Sequence, residues 1–293
     1  MSTSPKRIAV TGGSGRIGQA TIRLLMELGY DVISLDRRSC PGSPARFYYI
    51  DLRHREMLQM ILEKVDIVIH LGEIPTSVHD SPDVVFAHNT AVASSVMQTA
   101  ADLKLQRVIY TSTAQVYGSW GEEAIPPAAF PVTEDHPLRA RNAYALSKIC
   151  NEAFARLTGE TTGLRISMFR MPWVTDAKAG GRMLRWLRTE DDDPRRDMRT
   201  YVHVDDVARA FVKAIEADLD GVRVYNLSAD DILSRTPLAE MLRRVEGYPS
   251  LPSDWPAFKS PLVTDRAKAE LGWAPQISLR EALLGDSAAG SSK

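Results

Sequence analysis

Two side chains that can move a proton stand four residues apart, at Tyr144 and Lys148. Helical periodicity over residues 142–158 places the phenol and the ammonium group on one face of a helix. A phenol has a reference pKa of about 10, and a nearby positive charge lowers that pKa towards the neutral range. The pair therefore predicts an acid/base couple for an alcohol or carbonyl oxygen, although two ordinary surface residues would show the same spacing.

Thr113 is the third candidate catalytic residue. It follows a predicted strand at residues 107–112, within the hydroxyl-rich segment Thr111-Ser-Thr-Ala-Gln-Val-Tyr-Gly118. Parallel sheets bind ligands at the carboxyl ends of their strands, so this hydroxyl group can share a substrate proton with Tyr144. The alternative is a turn hydroxyl that caps local backbone.

A glycine-rich turn joins the first predicted strand to the first predicted helix. Gly12, Gly15 and Gly18 have G-x-x-G-x-x-G spacing. Glycine permits a tight turn and a close approach of the backbone to a pyrophosphate, and the helix N-terminus adds unpaired N–H groups. Because a strand and a helix flank it, the turn predicts a dinucleotide-binding site; alone, it would indicate only a loop.

Asp36 ends the next predicted strand, eighteen residues after Gly18. A carboxylate at this position accepts hydrogen bonds from both hydroxyl groups of an adenosine ribose and repels a 2′-phosphate. NAD is therefore favoured over NADP as the cofactor. Arg16 and the pair Arg37-Arg38 keep NADP as the less favoured alternative, since an arginine can bind such a phosphate.

Two further strand ends are predicted to contact the cofactor. Asp51 and Leu52 follow the third predicted strand, where a carboxylate can meet an adenine amino group. Leu71 and Gly72 close the fourth, where the glycine lets the backbone lie against the cofactor.

Strands and helices alternate along most of the chain, which predicts an α/β fold with a Rossmann-type doubly wound parallel sheet and a small C-terminal substrate lobe. Residues 1–172 are assigned to a dinucleotide-binding domain, 173–286 to a mixed substrate-binding lobe with elements that return to the first domain, and 287–293 to a tail. The predicted strands span residues 8–11, 31–36, 47–50, 66–71, 107–112, 164–170 and 222–227. The predicted helices span residues 17–29, 54–63, 82–104, 142–158, 205–217, 236–245, 264–271 and 278–284.

The composition argues against several classes of function. The chain has 293 residues and a formal net charge of −1, which gives no electrostatic reason to expect nucleic acid or an anionic membrane as a partner. Neither the two cysteines, Cys40 and Cys150, nor the six histidines show metal-ligand spacing, so no metal site is expected. No apolar run reaches membrane-spanning length and no signal-peptide core follows the first residues, so a cytoplasmic protein is expected.

Taken together, these motifs resemble the extended short-chain dehydrogenase/reductase family, and within it the NAD-dependent epimerases and dehydratases of sugars. The resemblance covers nearly the whole chain. Beyond the motifs above, it includes Asn89, the segments 201–207 and 225–227, and the run 265–273.

This resemblance implies roles for individual residues. Tyr144 would be the catalytic acid/base, Lys148 would lower its pKa and bind the nicotinamide ribose, and Thr113 would be the catalytic Ser/Thr. A homodimer that pairs through the helices at 82–104 and 142–158 is also implied. The remaining cofactor contacts would come from Gly12, Gly15, Arg16, Ile17, Gly18, Asp36 and Pro172.

The chain departs from the family at positions that govern the substrate. Ala114-Gln115 stand where the 4,6-dehydratases carry an Asp-Glu pair, so elimination of water is not expected. Met171-Pro-Trp-Val-Thr-Asp176 replaces the Asn-x-x-Gly-Pro stretch of nucleotide-sugar enzymes and the C-terminal lobe is short, which weakens the case for a nucleotide-linked sugar. Residues 70–75 and 181–186 resemble in part the uronate dehydrogenase branch, which oxidises a free sugar acid.

Four residues are predicted to contact a carbohydrate-like substrate: Glu73, Thr113, Trp173 and His203. His203 can equally be a satisfied polar residue. Three tryptophans either line the pocket or pack in the core: Trp120, Trp173 and Trp186. The acidic stretch 190–197 is expected to be a solvated loop, with a lid over the site as the alternative.

The sequence leaves three functions open. The favoured one is NAD-dependent hydride transfer at an alcohol or keto carbon of a sugar, with a slight preference for an epimerase that returns the hydride to the opposite face. The first alternative is a net sugar or uronate-like dehydrogenase, which releases reduced cofactor in every turnover. The second is a non-catalytic dinucleotide-binding sensor, which would not need Thr113, Tyr144 and Lys148.

Overall fold

Short apolar runs such as Ile8-Ala-Val10 and Ile67-Val-Ile69 lack polar alternation, which is typical of parallel strands buried on both faces. In a computed structural model of the chain, these runs lie at the centre of a seven-stranded sheet in which all neighbouring strands are parallel. The strands are β1 (Arg7–Thr11), β2 (Asp31–Asp36), β3 (Arg46–Tyr49), β4 (Ile67–His70), β5 (Arg107–Thr113), β6 (Arg165–Met171), β7 (Trp173–Thr175), β8 (Tyr201–His203) and β9 (Val222–Asn226). Seven of these nine strands form the main sheet, in the order β3-β2-β1-β4-β5-β6-β9.

The structure describes residues 6–75, 80–121, 123–176 and 197–281. The run 181–186 with Trp186, the acidic residues 190–196 and the tail 287–293 lie outside the described residues, so the predictions made for them stay predictions. Of the helices within these ranges, none is both long and apolar enough to cross a membrane.

The helices begin and end at local signals. The Asn142 side chain caps the helix that follows it by accepting a hydrogen bond from Ala145 N at 2.7 Å, and Gly163 ends that helix in the left-handed region with φ 75°. Short 3₁₀ turns span Ala114–Tyr117 and Asp197–Arg199. The α-helices are α1 (Arg16–Glu27), α2 (Arg55–Leu62), α3 (Pro82–Asp102), α4 (Ala143–Thr162), α5 (Val204–Glu216), α6 (Leu238–Arg243) and α7 (Asp265–Leu271).

Alternate residues of the central strands point to opposite faces of the sheet and enter two separate hydrophobic clusters. On one face, Ile8 and Ile67 pack with α1 and α5 through residues such as Leu25 and Phe211. On the other face, Val68 packs with α2, α3 and α4. The doubly wound parallel sheet predicted from the sequence is therefore confirmed.

After β6 the chain leaves the main sheet and then returns to it. β7 and β8 pair as a separate two-stranded parallel sheet, which the sequence does not predict because three residues are too few to show a period. α5 then packs against α1, and β9 pairs with β6 at the edge of the main sheet. A smaller hydrophobic cluster beyond β9 is built around Ile232, Leu238, Met241 and Leu242.

One buried ion pair ties α4 to the sheet. The side chains of Arg170 on β6 and Glu152 on α4 are 2% and 0% exposed, and Arg170 Nε and Nη2 donate to the two carboxylate oxygens at 2.9 and 2.6 Å. Ser112 Oγ donates to the same carboxylate at 2.7 Å. Because Ser112 directly precedes Thr113, this hydrogen bond fixes the end of β5. Burial opposes the negative charge of Glu152, but Arg170 and Ser112 keep the pKa of this carboxyl group below its ordinary value.

Removal of Arg170 tests how strongly this pair holds the fold. Arg170→Ala leaves the carboxylate of Glu152 buried without its main partner, so we expect the free energy of unfolding to fall by about 3–5 kcal/mol. Arg156→Ala is the matched control, because Arg156 pairs with the same carboxylate at 3.2 Å but is 41% exposed. Its loss should cost about 1 kcal/mol or less. Urea denaturation measures both, and equal losses would contradict an anchoring role for Arg170.

Candidate active site

The glycine-rich turn packs directly against the ends of β1 and β4. Gly12 has a φ of 65°, in the region that favours glycine, and a Cβ there would lie 2.7 Å from the carbonyl carbon of Leu71. A Cβ on Gly18 would lie 2.5 Å from the carbonyl oxygen of Gly12. These two glycines therefore let α1 approach the carboxyl edge of the sheet.

The N-terminus of α1 has the properties of an anion site. Gly15 is its exposed N-cap, and among the described residues no side chain caps this helix start. The N–H groups of Arg16, Ile17 and Gly18 in the first turn lack an intrahelical acceptor, and the helix dipole adds partial positive charge. This arrangement fits the pyrophosphate of a dinucleotide.

Asp36 lies beside this turn at the end of β2. Its Oδ2 accepts a hydrogen bond from Ser14 N and its Oδ1 accepts one from Arg38 N, each at 3.1 Å. The carboxylate is half-buried and is held against the glycine-rich turn, as a contact to the adenosine ribose requires. Arg16, the basic residue within the glycine-rich turn, is exposed.

Asp51 and Leu52 follow β3, but the Asp51 carboxylate is already bound by Arg53. Arg53 Nε and Nη2 donate to it at 3.0 and 2.6 Å, and these hydrogen bonds lower the pKa of Asp51. Leu52 packs against Gly72, because a Cβ added to Gly72 would lie 2.6 Å from Leu52 Cδ1. The adenine contact of Asp51 stays a prediction, and it would require Arg53 to share the carboxylate.

Thr113, Tyr144 and Lys148 come together where β5 ends and α4 begins. Lys148 Nζ donates to the carbonyl oxygen of Thr111 at 2.6 Å and lies 5.7 Å from the centre of the Tyr144 ring. The Thr113 side chain lowers the pKa of the Tyr144 phenol and accepts a hydrogen bond from Gln115 N at 3.3 Å. The structure therefore brings the three predicted catalytic side chains into one site.

Opposing effects act on the ionisation of Tyr144 and of Lys148. Burial raises the pKa of Tyr144, Lys148 lowers it, Glu73 raises it and the hydrogen bond with Thr113 lowers it, and the net pKa lies above the ordinary value. Burial lowers the pKa of Lys148, but Glu73, Tyr144 and Glu152 together outweigh burial, and the net pKa lies above the ordinary value. Lys148 is therefore a buried cation that depends on a buried carboxylate.

The sequence predicts a substrate contact for Glu73, whereas the structure turns this side chain inward. Its side chain is 4% exposed, and its Oε2 lies 2.7 Å from Lys148 Nζ. Its Oε1 accepts from Asn151 Nδ2 at 3.3 Å and lies 3.4 Å from Nε2 of His70. The chain reverses just after β4, where Glu73 N donates to the carbonyl oxygen of Leu71 at 3.0 Å.

His70, Tyr110 and Asn151 belong to the site but are missed by the sequence reasoning. Asn151 Nδ2 donates to the Tyr110 hydroxyl at 3.0 Å, and the rings of His70 and Tyr110 stack with centres 5.9 Å apart. Two signals point to them. A histidine ends an otherwise apolar strand, and Asn151 lies seven residues after Tyr144, about two helical turns along the same face.

The other residues predicted to contact the cofactor or the substrate have packing or capping contacts. Pro172 is buried between β6 and β7, and Trp173 packs against the small cluster around β8. His203 caps the start of α5, with its Nδ1 accepting from a backbone N–H group at 3.2 Å. Trp120 is 1% exposed and belongs to the core instead of a pocket wall. The cofactor contact of Pro172 and the substrate contacts of Trp173 and His203 stay predictions. Across the described ranges, no three side chains of the metal-binding types cluster as a metal site.

The dinucleotide turn, the acidic end of β2 and the Thr113, Tyr144 and Lys148 group define a nicotinamide-dependent enzyme of the extended short-chain dehydrogenase/reductase type. Residues 8–228 match the model of the NAD dependent epimerase/dehydratase family, and the chain belongs to this family, whose cofactor is NAD.

Relatives and solved structures cover most of the chain. The UDP-glucose 4-epimerase of Corynebacterium glutamicum is 26% identical over an alignment that spans 92% of this chain and 91% of that protein. The fold matches UDP-glucose 4-epimerase of Thermotoga maritima with UDP-glucose, at a TM-score of 0.72 and 24% identity over 94% of this chain and 96% of that one. It also matches UDP-glucose 4-epimerase of Bifidobacterium longum with NAD⁺ and UDP, at a TM-score of 0.72 and 23% identity over 95% and 96%.

Asp36→Ala tests the cofactor assignment. We expect NAD affinity to fall by about tenfold or more, because a hydrogen bond to a charged group contributes about 1.5–3 kcal/mol, while NADP is no longer repelled. The ratio of NADP to NAD affinity, measured by calorimetric titration, should therefore rise. Asp51→Ala is the control: a lost adenine contact would weaken both cofactors equally. An unchanged ratio in Asp36→Ala would contradict a ribose contact.

Proposed function

We propose that this chain is an NAD-dependent sugar epimerase, which removes a hydride from a carbinol carbon and returns it to the opposite face. The observation that carries the proposal is the convergence of Thr113, Tyr144 and Lys148 at the sheet edge that also carries the dinucleotide turn. The similarity to a UDP-glucose 4-epimerase extends over 92% of this chain. A nucleoside-diphosphate hexose is therefore the first substrate class to test.

Thr113, Tyr144 and Lys148 each have a defined task in this reaction. Bound NAD supplies the hydride acceptor, and in its reduced form the hydride donor, at the nicotinamide ring. Tyr144 takes the proton from the substrate hydroxyl as the carbon–hydrogen bond breaks, Thr113 hydrogen-bonds to the same oxygen, and Lys148 stabilises the phenolate. Tyr144 returns the proton to that oxygen when the hydride re-enters from the other face.

The burial of the groups behind Tyr144 favours an epimerase over a net dehydrogenase. Lys148 and Glu73, the charged groups that act on the phenol, are both buried. An epimerase needs no proton exchange with water, because Tyr144 returns the proton that it took. A net dehydrogenase must pass a proton to solvent in every turnover, which is better served by an exposed relay.

The residues after Thr113 support the exclusion of a dehydratase. Ala114 is buried and cannot ionise, and Gln115 Oε1 accepts a hydrogen bond from Asn142 Nδ2 at 3.0 Å. Since Asn142 caps α4, Gln115 supports the start of the helix that carries Tyr144. Gln115 stands where the dehydratases carry a catalytic carboxylate, and in this chain it helps to position that helix.

Incubation of the protein with UDP-glucose, UDP-galactose and free uronic acids separates the candidate functions. An epimerase interconverts the two UDP-sugars with no net change in NADH absorbance. A net dehydrogenase accumulates NADH in proportion to an oxidised sugar. Protein that binds NAD but converts no sugar would contradict the proposal and favour a dinucleotide-binding sensor.

Tyr144→Phe tests the acid/base assignment. The substitution removes the hydroxyl group and keeps the ring, so turnover should fall by about 10²-fold or more while NAD affinity stays unchanged. Tyr225→Phe is the matched control, because it removes a phenol from β9, at the edge of the sheet. That phenol donates to Glu270 of α7 at 2.8 Å. A parallel loss of NAD binding and turnover in Tyr144→Phe would indicate a structural role instead.

We also propose a homodimer that pairs through α3 and α4, as the family implies. Leu146 and Leu157 are 44% and 56% exposed and stand eleven residues apart, about three helical turns along one face of α4. Val84 on α3 is 45% exposed.

Leu157→Glu should convert the dimer to a monomer in light scattering, whereas Met60→Glu, at an exposed apolar residue of α2, should not. A monomeric wild type would contradict this proposal.

A further inference from the structure

A buried carboxylate lies directly behind the acid/base pair and has no task in the reaction above. Glu73 Oε2 lies 2.7 Å from Lys148 Nζ, and both side chains are 4% exposed. Removing an ionised carboxylate from water costs several kcal/mol, which only close partners offset. Glu73 also opposes the effect of Lys148 on Tyr144, because its negative charge offsets part of the positive charge that acts on the phenol.

Lys148 Nζ has three N–H groups, and one of them donates to the carbonyl oxygen of Thr111 at 2.6 Å. Glu73 Oε2 forms an ion pair with the same ammonium at 2.7 Å. The ring of Tyr110 packs against it, with its centre 4.9 Å from Nζ. Nζ therefore keeps N–H groups for Tyr144 or for a hydroxyl group of the cofactor.

The position of Glu73 is fixed by a chain of hydrogen bonds that begins on β1. Thr11 Oγ1 accepts from the N–H groups of Leu71 and Gly72 at 3.1 and 3.2 Å. The Thr11 hydroxyl therefore donates its own hydrogen to Nδ1 of His70, at 2.7 Å, which leaves the ring hydrogen on Nε2. That Nε2 lies 3.4 Å from Glu73 Oε1.

Asn151 provides a further contact to this carboxylate. Its Nδ2 donates to Oε1 at 3.3 Å and also to the Tyr110 hydroxyl at 3.0 Å. We propose that Glu73 is a positioning residue for Lys148, which fixes Nζ and offsets part of the positive charge that acts on Tyr144. This inference rests on the proposed role of Tyr144 as the acid/base.

Removal of the charge of Glu73 should shift two ionisations in the same direction. Glu73 raises the pKa of Tyr144 and that of Lys148, so without it the phenol ionises and the ammonium deprotonates at lower pH. Turnover requires an ionised Tyr144 and a charged Lys148, so both limbs of the pH profile should move to lower pH. The other titratable groups that act on this cluster stay in place: His70 of β4, Tyr110 of β5, Glu152 of α4 and His88 of α3.

The test compares two substitutions at Glu73. Glu73→Gln keeps the size of the side chain and removes its charge, so both limbs of the profile of kcat against pH should move to lower pH. Glu73→Asp keeps the charge but withdraws it by one methylene group, so the limbs should stay near their wild-type pH while kcat falls by up to about 10²-fold at unchanged KM.

Glu134→Gln is the matched control. Glu134 is also a buried glutamate, but it accepts from Asn226 N at 2.8 Å in the network around Arg170. Its substitution should leave both limbs unmoved. A Glu73→Gln profile that loses amplitude with unmoved limbs would overturn the inference, because that is the result of a purely structural role.

A spectroscopic titration separates this inference from the proposed function. The phenolate absorbance of the NAD-loaded protein, taken as wild type minus Tyr144→Phe, follows the ionisation of Tyr144 without any substrate. In the Glu73→Gln background it should shift to lower pH, and an unshifted titration would contradict the positioning role alone. Absence of turnover on every sugar would contradict the function alone. If Glu73→Gln does not fold, Glu73→Ala, which leaves room for water, provides the same titration.

Discussion

Parallel pairing sets Thr11 opposite His70 and His70 opposite Tyr110 across three neighbouring strands. Partners in register point to the same face, so these polar side chains form a row across an otherwise apolar sheet. Glu73 and Lys148 meet at this row, one from the turn after β4 and the other from α4. A slip of one residue in any of these strands would turn its polar side chain to the opposite face. The chemistry of the site therefore depends on strand register.

α4 links this row to the rest of the molecule because it carries two buried charges of opposite sign, one turn apart. Lys148 pairs with Glu73 at the end of β4, and Glu152 pairs with Arg170 on β6. Each buried charge has a partner and further hydrogen bonds, without which burial would be strongly unfavourable. The helix that supplies Tyr144 is thus held on both sides of β5 by ion pairs as well as by apolar packing. The same two ion pairs therefore stabilise α4 and place Tyr144, the acid/base.

Much of the fold could be predicted because its signals are local. β2 spans the predicted residues 31–36, and α4 begins one residue after its predicted start at 142. The exceptions also have local causes. β7 and β8 are too short to show a period, and the helix predicted at 236–245 spans only Leu238–Arg243, since Pro237 fixes its start.

The sequence by itself determined the glycine-rich turn, the acidic end of β2 and the common helix face of Tyr144 and Lys148. These features rest on backbone dihedral angles and on helical spacing, which involve neighbours in the chain. Only the tertiary structure decided that Glu73 pairs with Lys148. That contact joins residues seventy-five positions apart, and the other side chains around the carboxylate come from β4, β5 and α4. Sequence spacing carries no information about such neighbours, because strand order and register bring them together.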